Sequence, residues 1–564
     1  MSMRISVLSF ILLAVSLAGC IIAVIPACRK SFVRRFSPVW RKRFFWIMVG
    51  AAFVVGLGVR VWQFGIVPTG FNQDEAMAGL DAMALARHGT DRFGTWLPAY
   101  FYAWGYGQMS VLMSYLMVPF IWMFGLSVTV ARLPMLLVSL AGMYVLFRFA
   151  QKVGGNKLAL IMLCLVAVNP WQIMQSRWAL DCNMLPHFLL FGFYFLYLGL
   201  RQRRWYLYLS MVFFALTMYT YGIAFYTIPV LMVALCIYLL CAKRVKWWET
   251  LICAAIFIAV AAGALCVMVV NLFGLDTIET PIFTAQLFSE SIRTGDLVWN
   301  ADNVYDQLAQ NLYQYARLIW LQLPDEMCWN SIADYGLTYI FSLPLVAFGV
   351  YESLRTFKRD NLATTLLIIW TLLGLFAGAV ARDVNINRIN IAIYPIIIFS
   401  GIGLYGICRR CNPMVLLFTA LYAFSFFGFS QNYFGPNNEM FAWYFFEGFD
   451  KAIHRASDSE VIYVSTTFWG TPSYEIAELL TQFHDEVDAE YARGEGEQSR
   501  NGVEWKPYID RYQYIYMAYE QFFLSTDPNC VYVVASYEAS YFDPELYDIE
   551  YYTQHAVIWP KRIE

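Results

Sequence analysis

Along this chain the hydrophobic positions gather into long apolar runs broken by short polar stretches that are mostly basic. In hydrocarbon a helix of about 20 residues satisfies its own backbone, so each run of that order reads as a membrane-spanning helix. Twelve spans are expected, at 5–25, 44–67, 133–147, 158–174, 188–200, 205–219, 223–240, 251–273, 335–351, 362–380, 389–407 and 415–427, the fifth and sixth being short. Lys and Arg in short loops are retained on the cytoplasmic side. The basic clusters at 29–43, 148–157, 201–204, 243–246, 355–359 and 409–410 follow every odd-numbered span, which puts both chain ends outside. A crossing by the apolar run 111–124 would break that alternation, so this run is expected to lie along the outer interface within the first external loop.

Composition agrees with the pattern. The 564 residues are 59% hydrophobic and 14% charged, where a soluble domain has roughly a quarter of its residues charged. The net charge of −2 and the absence of a broad basic patch argue against nucleic acid as a partner. Most of the twelve cysteines lie in apolar runs, where Cys behaves as a small hydrophobe. Cys408 and Cys411 form a CxxC with no second pair nearby to complete a zinc site. Leu17-Ala18-Gly19-Cys20 resembles a lipoprotein cleavage box, but the apolar residues and the basic run after it favour a retained first span.

Three regions then lie outside: 68–131, 276–334 and a tail from about 431 to 564. The organisation expected is an extra span and basic loop at 1–43, a membrane domain at 44–430 and a small extracytoplasmic α/β domain at 431–564. In the tail, strands are expected at 461–465 and 531–535 and helices near 474–483 and 511–523, with a polar surface loop at 494–502.

Candidate chemistry begins at Asn72-Gln73-Asp74-Glu75, at the start of a helical pattern just after the second span. Asn72 and Glu75 have the spacing of a capping box, and acids favour the positive end of a helix. A partly shielded carboxylate at the interface can equally act as a general base on a hydroxyl. Asp181, in Ser176-Arg177-Trp178-Ala179-Leu180-Asp181, is a second outer acid close to bilayer depth, where an ionisable group is costly unless paired; Arg177 is the neutralising candidate. Arg60, Arg132, Arg382 and Arg388 each read singly as snorkelling to lipid headgroups, and together as a sign of an anionic ligand.

The Asp-Glu pair after an early span, the long first outer loop ending in Ala131-Arg132-Leu133-Pro134, the Ser176-Arg177 to Asp181 connection, the second long loop and the final soluble domain resemble a GT-C fold glycosyltransferase. The nearest branches are the protein O-mannosyltransferases and aminoarabinose transferases. The resemblance implies a polytopic all-α domain of about twelve spans, interfacial helices in the first outer loop, and a donor sugar carried on polyprenyl phosphate. It implies Asp74 as catalytic base, Asp181 as the second acid, and Arg132 as the arginine of the family's Arg-Leu-Pro element. Arg132, Arg177 and Arg388 become candidates for the leaving lipid phosphate, and Glu75 and Asp181 for orienting the acceptor or holding a divalent cation. Where those branches carry His-Pro-Pro or Glu-Lys-Pro, this chain has Trp104-Gly105-Tyr106-Gly107-Gln108, which leaves the sugar open and makes Tyr106 and Gln108 candidate sugar or acceptor contacts. An envelope polysaccharide polymerase or ligase, a transporter and a non-catalytic scaffold remain as alternatives; the transporter lacks the expected paired mid-span helix breaks.

Overall fold

The computed structural model describes residues 6–25, 38–103, 107–288, 297–325, 327–332, 334–356, 361–484, 498–500, 503–505 and 512–561. Its helices in chain order are α1 (Val7–Val24), α2 (Pro38–Val61), α3 (Gln73–His88), α4 (Leu112–Phe124), α5 (Val128–Ala167), α6 (Pro170–Gln175), α7 (Leu185–Arg201), α8 (Trp205–Leu216), α9 (Ala224–Cys241) and α10 (Trp247–Phe273). There follow α11 (Val304–Ile319), α12 (Leu343–Arg355), α13 (Leu362–Val380), α14 (Ile386–Ile389), α15 (Ile393–Arg410), α16 (Met414–Tyr433), α17 (Pro436–Tyr444), α18 (Phe449–Ala456) and α19 (Tyr474–His484). The chain is a multi-pass membrane protein: among the described residues, nine helical segments are long and apolar enough to cross a bilayer. Two compact units result, one of residues 1–62, 135–272 and 291–433, the other of residues 63–134, 273–290 and 434–564.

The first unit holds most of the spanning helices. All twelve expected spans fall at least in part on helices, the third and fourth both on α5, where Gly155 (φ 78°, ψ −174°) leaves helical geometry and separates two helices. Among the boundaries that differ from expectation, three have clear local reasons. The fourth span stops at Ala167 because Asn169 starts a separate helix, its side chain accepting from Gln172 N with Pro170 in the first turn. The fifth is longer than expected, since the 3-10 turn Asp181–Met184 runs straight into α7. The ninth begins late, at Leu343, where a proline in the first turn opens α12. Glycines let α12 and α15 approach backbone to backbone: a Cβ on Gly349 would sit 1.9 Å from Phe399 O, and one on Gly403 2.0 Å from Leu345 O.

The second unit combines α3, α4 and the tail. At 13 residues α4 is short for a span, and it packs on α3, with Ser114 Oγ donating to Ala78 O at 2.8 Å. Two short antiparallel strands, β1 (Phe101–Ala103) and β2 (Gly107–Met109), pair Tyr102 with Gln108. In the tail, β3 (Val461–Ser465), β4 (Tyr512–Ile515), β5 (Cys530–Ala535), β6 (Tyr547–Tyr552) and β7 (His555–Pro560) form one sheet in the order β4-β3-β5-β7-β6. The first three are parallel and the last two antiparallel. The helix expected at 511–523 is not formed: Tyr512–Ile515 pairs with Ile462–Ser465, and a single helical turn follows at Met517–Glu520. Aromatic and β-branched side chains there fit a pleated sheet better than a helix. Of the expected loop 494–502, residues Gln498–Arg500 form a strand paired with Val503–Trp505, and the rest lies outside the described residues. Phe483 of α19 lies against Phe71, just before α3, with ring centroids 4.2 Å apart.

Candidate active site

The second unit carries the Asp-Glu pair. Asn72 caps α3, accepting from Asp74 N at 2.9 Å, while Glu75 Oε2 accepts from Asn72 N at 3.2 Å, so the capping box is real. Glu75 does more than cap. Its Oε1 accepts from Arg132 Nε at 2.9 Å and its Oε2 from Arg132 Nη2 at 2.8 Å, with both side chains fully buried. The other Arg132 N–H groups go to the carbonyls of Pro68 at 3.0 Å, Gly70 at 2.9 Å and, more weakly, Gly65 at 3.5 Å. All five donors of the guanidinium are therefore engaged inside the protein. The sequence suggested a snorkelling or phosphate-binding Arg132; the structure instead makes it the bolt that fixes the chain entering α3 to the start of α5. Both Glu75 oxygens accept hydrogen bonds within the protein, which ties this carboxylate to the cap and to Arg132.

Asp74 occupies the second position of α3 and is half-buried, where Glu75 beside it is sealed. The positive end of the helix favours its ionised form. A half-exposed carboxylate on a rigidly fixed helix start is the arrangement a general base needs.

Two turns beyond lies a cluster that the sequence reading missed. Asp81 on α3, Asp91 and Arg92 are all buried. Asp81 Oδ1 accepts from Arg92 N at 3.1 Å, with Arg92 Nε 4.0 Å away, and Asp91 Oδ1 accepts from Phe93 N at 3.0 Å and Thr95 N at 2.8 Å. Asp81 Oδ2, Asp91 Oδ2 and Arg92 Nη1 have no hydrogen-bond partner among the described residues. Burial pushes both carboxyls up, and the charge of Asp81 adds to the rise at Asp91, to about 7. Arg92 also reaches Tyr102 O, on the strand paired with Gln108. Gln108 is buried, and neither end of its amide has a partner among the described residues. Tyr106 lies outside the described residues.

The first unit carries the remaining candidates. Arg60 and Arg177 are fully buried and close each other's neighbourhoods. Arg177 donates to the carbonyls of Val59 at 2.9 Å, Arg60 at 2.8 Å and Trp62 at 2.6 Å, which end α2. Arg60 donates to Val166 O at 3.0 Å and Ala167 O at 3.1 Å, which end α5, and to Gly56 O and Ser139 Oγ. The last carbonyls of a helix lack partners and carry its negative end, so a cation is a natural cap. Neither arginine snorkels: both side chains are fully buried. Asp181 opens the 3-10 turn before α7 and is buried, its Oδ1 accepting from Cys182 N at 2.6 Å. That turn is held by Asn390, whose Nδ2 donates to Cys182 O at 2.8 Å, beside α14. Arg388, on α14, donates to Asp383 O at 2.8 Å and stands 3.7 Å from the Asp383 carboxylate.

Asp325 was also missed. Its Oδ2 accepts from Ile386 N at 3.1 Å and from Asn330 Nδ2 at 2.9 Å, and burial raises its carboxyl above the usual range. A signal was present: Asp325-Glu326 in the second long loop repeats the Asp74-Glu75 pair of the first. Among the described residues no three His, Cys, Asp or Glu side chains gather as a metal site.

No protein-family model matches the chain, and no curated protein matches it in sequence. Solved structures match it in fold. ArnT from Cupriavidus metallidurans in the apo state superposes with a TM-score of 0.52 at 12% identity, over 92% of this chain and 98% of that one. The same protein bound to undecaprenyl phosphate gives 0.53 at 12% identity, over 93% and 98%. The archaeal oligosaccharyltransferase AglB from Archaeoglobus fulgidus, in complex with an inhibitory peptide and a dolichol-phosphate, gives 0.47 at 11% identity, over 88% and 70%. The chain thus has the GT-C fold that its layout resembles.

Proposed function

We propose, on the premise of the fold shared with ArnT, that this chain transfers a sugar from a polyprenyl-phosphate carrier to an acceptor on the extracytoplasmic face. The observation that carries the proposal is the match over nearly the whole length of an ArnT structure solved with undecaprenyl phosphate. Support for the compartment comes from the basic clusters after each odd-numbered span, which retain those loops in the cytoplasm and leave Asp74 and Asp181 outside. Nucleotide sugars are held in the cytoplasm, so an outer-face transferase takes its sugar from a lipid.

In the proposed reaction, the acceptor hydroxyl attacks the anomeric carbon while the Asp74 carboxylate takes its proton. The bond from that carbon to the phosphate oxygen breaks, and its electron pair stays on the phosphate, so the carrier's phosphodiester becomes a phosphomonoester with one further negative charge. A cation held at the phosphate stabilises this transition state more than the ground state. Of the three arginines considered, Arg388 is the one assigned that role, since it pairs with the exposed Asp383, whereas Arg132 and Arg177 are fully buried against Glu75 and helix ends. Asp181 orients the acceptor. Gln108, and Tyr106 two residues before it, are assigned to the sugar or acceptor by their position in the first outer loop, and the buried Gln108 amide, without a partner among the described residues, supports that assignment.

Mass spectrometry of lipid-linked sugars and envelope glycans, with and without the protein, tests the reaction class. One sugar should vanish from the glycan, lipid or protein fraction while its carrier-linked form accumulates. Unchanged lipid-linked sugars together with shortened glycan chains would favour the polymerase or ligase reading instead.

A further inference from the structure

A cavity of about 280 Å³ lies between α8, α9 and α10, far larger than the roughly 10–15 Å³ that one water needs by the same measure. Leu207, Met211, Leu235, Leu239 and Phe257 form most of its wall, and its polar groups are Thr250 and the thiols of Cys236 and Cys253. A space so lined offers water almost nothing to bond to. Val233 and Ile258 also line it and are more than half exposed, so it opens on the surface that faces lipid.

The end of the cavity is marked by charge. Val245 is part of the wall and stands between Arg244 and Lys246, with Lys243 in the same turn. Residues 201–250 contain six Lys and Arg and one acid, Glu249. That acid is already engaged: Arg204 Nε lies 3.3 Å from its Oε1, and Lys246 N donates to its Oε2 at 2.8 Å. Arg204 also donates to Arg244 O at 3.0 Å, so the basic turn after α9 is tied to the start of α8 and of α10. Trp205, Trp247 and Trp248, next in sequence to Arg204 and Lys246, are exposed, and Lys246 lies over the Trp248 ring. Exposed tryptophans among basic residues mark the membrane–water boundary. The cavity therefore begins where headgroups end.

We propose that this cavity is a binding site for an anionic glycerophospholipid, with one acyl chain between α8, α9 and α10 and the phosphate at Lys243, Arg244 and Lys246. Charge complementarity selects the headgroup, since the turn carries three cations in four residues while the nearby acid is paired. The apolar lining, open to the lipid-facing surface at Val233 and Ile258, selects a lipid over a free anion. The site does not depend on the transferase reaction proposed above.

Native mass spectrometry of the full chain in detergent, with added phosphatidylglycerol or phosphatidylcholine of identical acyl chains, tests it. Phosphatidylglycerol should bind at one tight site with at least about a tenfold preference, because each basic residue near an anionic surface contributes roughly fivefold. Arg244→Gln with Lys246→Gln, both at the surface turn, should abolish the preference without affecting the melting temperature. Cys236→Phe, which fills the cavity, should remove the tight site while leaving the basic turn intact. Equal binding of the two lipids, or a preference that survives the double charge substitution, would overturn the proposal. So would a tight site that persists in folded Cys236→Phe, which would mean surface attraction alone, or stoichiometric displacement of phosphatidylglycerol by undecaprenyl phosphate, which would make the carrier the occupant.

Discussion

Arg132 and Glu75 meet through two hydrogen bonds of 2.9 and 2.8 Å with neither side chain exposed, and this pair joins the first turn of α3 to the start of α5. Breaking one partner of a buried pair leaves the other charge stranded and costs about 3–5 kcal/mol. Glu75→Gln should therefore lower the melting temperature of the detergent-purified protein sharply. Arg132→Lys should do the same, because a lysine cannot hold both carboxylate oxygens and three carbonyls at once. Wild-type melting of Glu75→Gln with loss of sugar transfer would assign Glu75 to the substrate instead.

The second unit should respond to pH through Asp91. A carboxyl raised to about 7 stays protonated in the folded chain after the unfolded chain, near 3.9, has lost its proton. The folded state then binds more protons between about pH 4 and 7, so this group's contribution to stability falls as pH rises through that window. Asp91→Asn keeps the oxygen that accepts from Phe93 and Thr95. It should stabilise by about 1–3 kcal/mol at pH 8 and change little at pH 4. His484 and His555 act in the opposite sense: burial lowers both to about 4, so stability is lost as pH falls from about 6.5 through 4. Thermal melts of wild type and Asp91→Asn across pH 4–8 read these windows, and a pH-independent difference between the two would contradict the assignment.

Gly79 on α3 is a packing position. A Cβ there would lie 2.8 Å from the Phe483 ring of α19 and 3.3 Å from Leu126. Gly79→Leu should cost about 1–3 kcal/mol by overpacking and should make the tail more sensitive to protease. Protease resistance equal to wild type would show that α3 and α19 do not depend on this contact.

Sidedness rests on the basic clusters, so it has its own test. A reporter fused after Leu200 should be cytoplasmic and one after Gln431 external. An external reporter at Leu200 would break the register and move Asp181 to the other face.

The spans were legible in the sequence because bilayer thickness and backbone satisfaction impose one length on every crossing. The Asn72 to Glu75 cap and the strand Val461–Ser465 were legible for similar local reasons. The roles of Arg60, Arg132 and Arg177 were not. Most of their partners are backbone carbonyls far along the chain, and a carbonyl leaves no residue-type signature. The segment Tyr512–Ile515 was misread because its neighbours in the sheet, at Ile462–Ser465, decide its form more than its own composition does. Nothing in the sequence distinguishes Asp81 and Asp91 from other acids, and burial is what sets them apart.

The account turns on Asp74, and its direct test is the transfer rate of purified Asp74→Asn with a polyprenyl-phosphate sugar and the acceptor named by the glycan comparison. Asn serves as well as Asp near a helix start, and the capping box belongs to Asn72 and Glu75, so folding and donor binding should be nearly unchanged. A positioned general base accounts for roughly a hundredfold or more in rate, and a loss of at least that size with an unshifted melting temperature is the predicted result. Near-normal transfer by Asp74→Asn would contradict the mechanism.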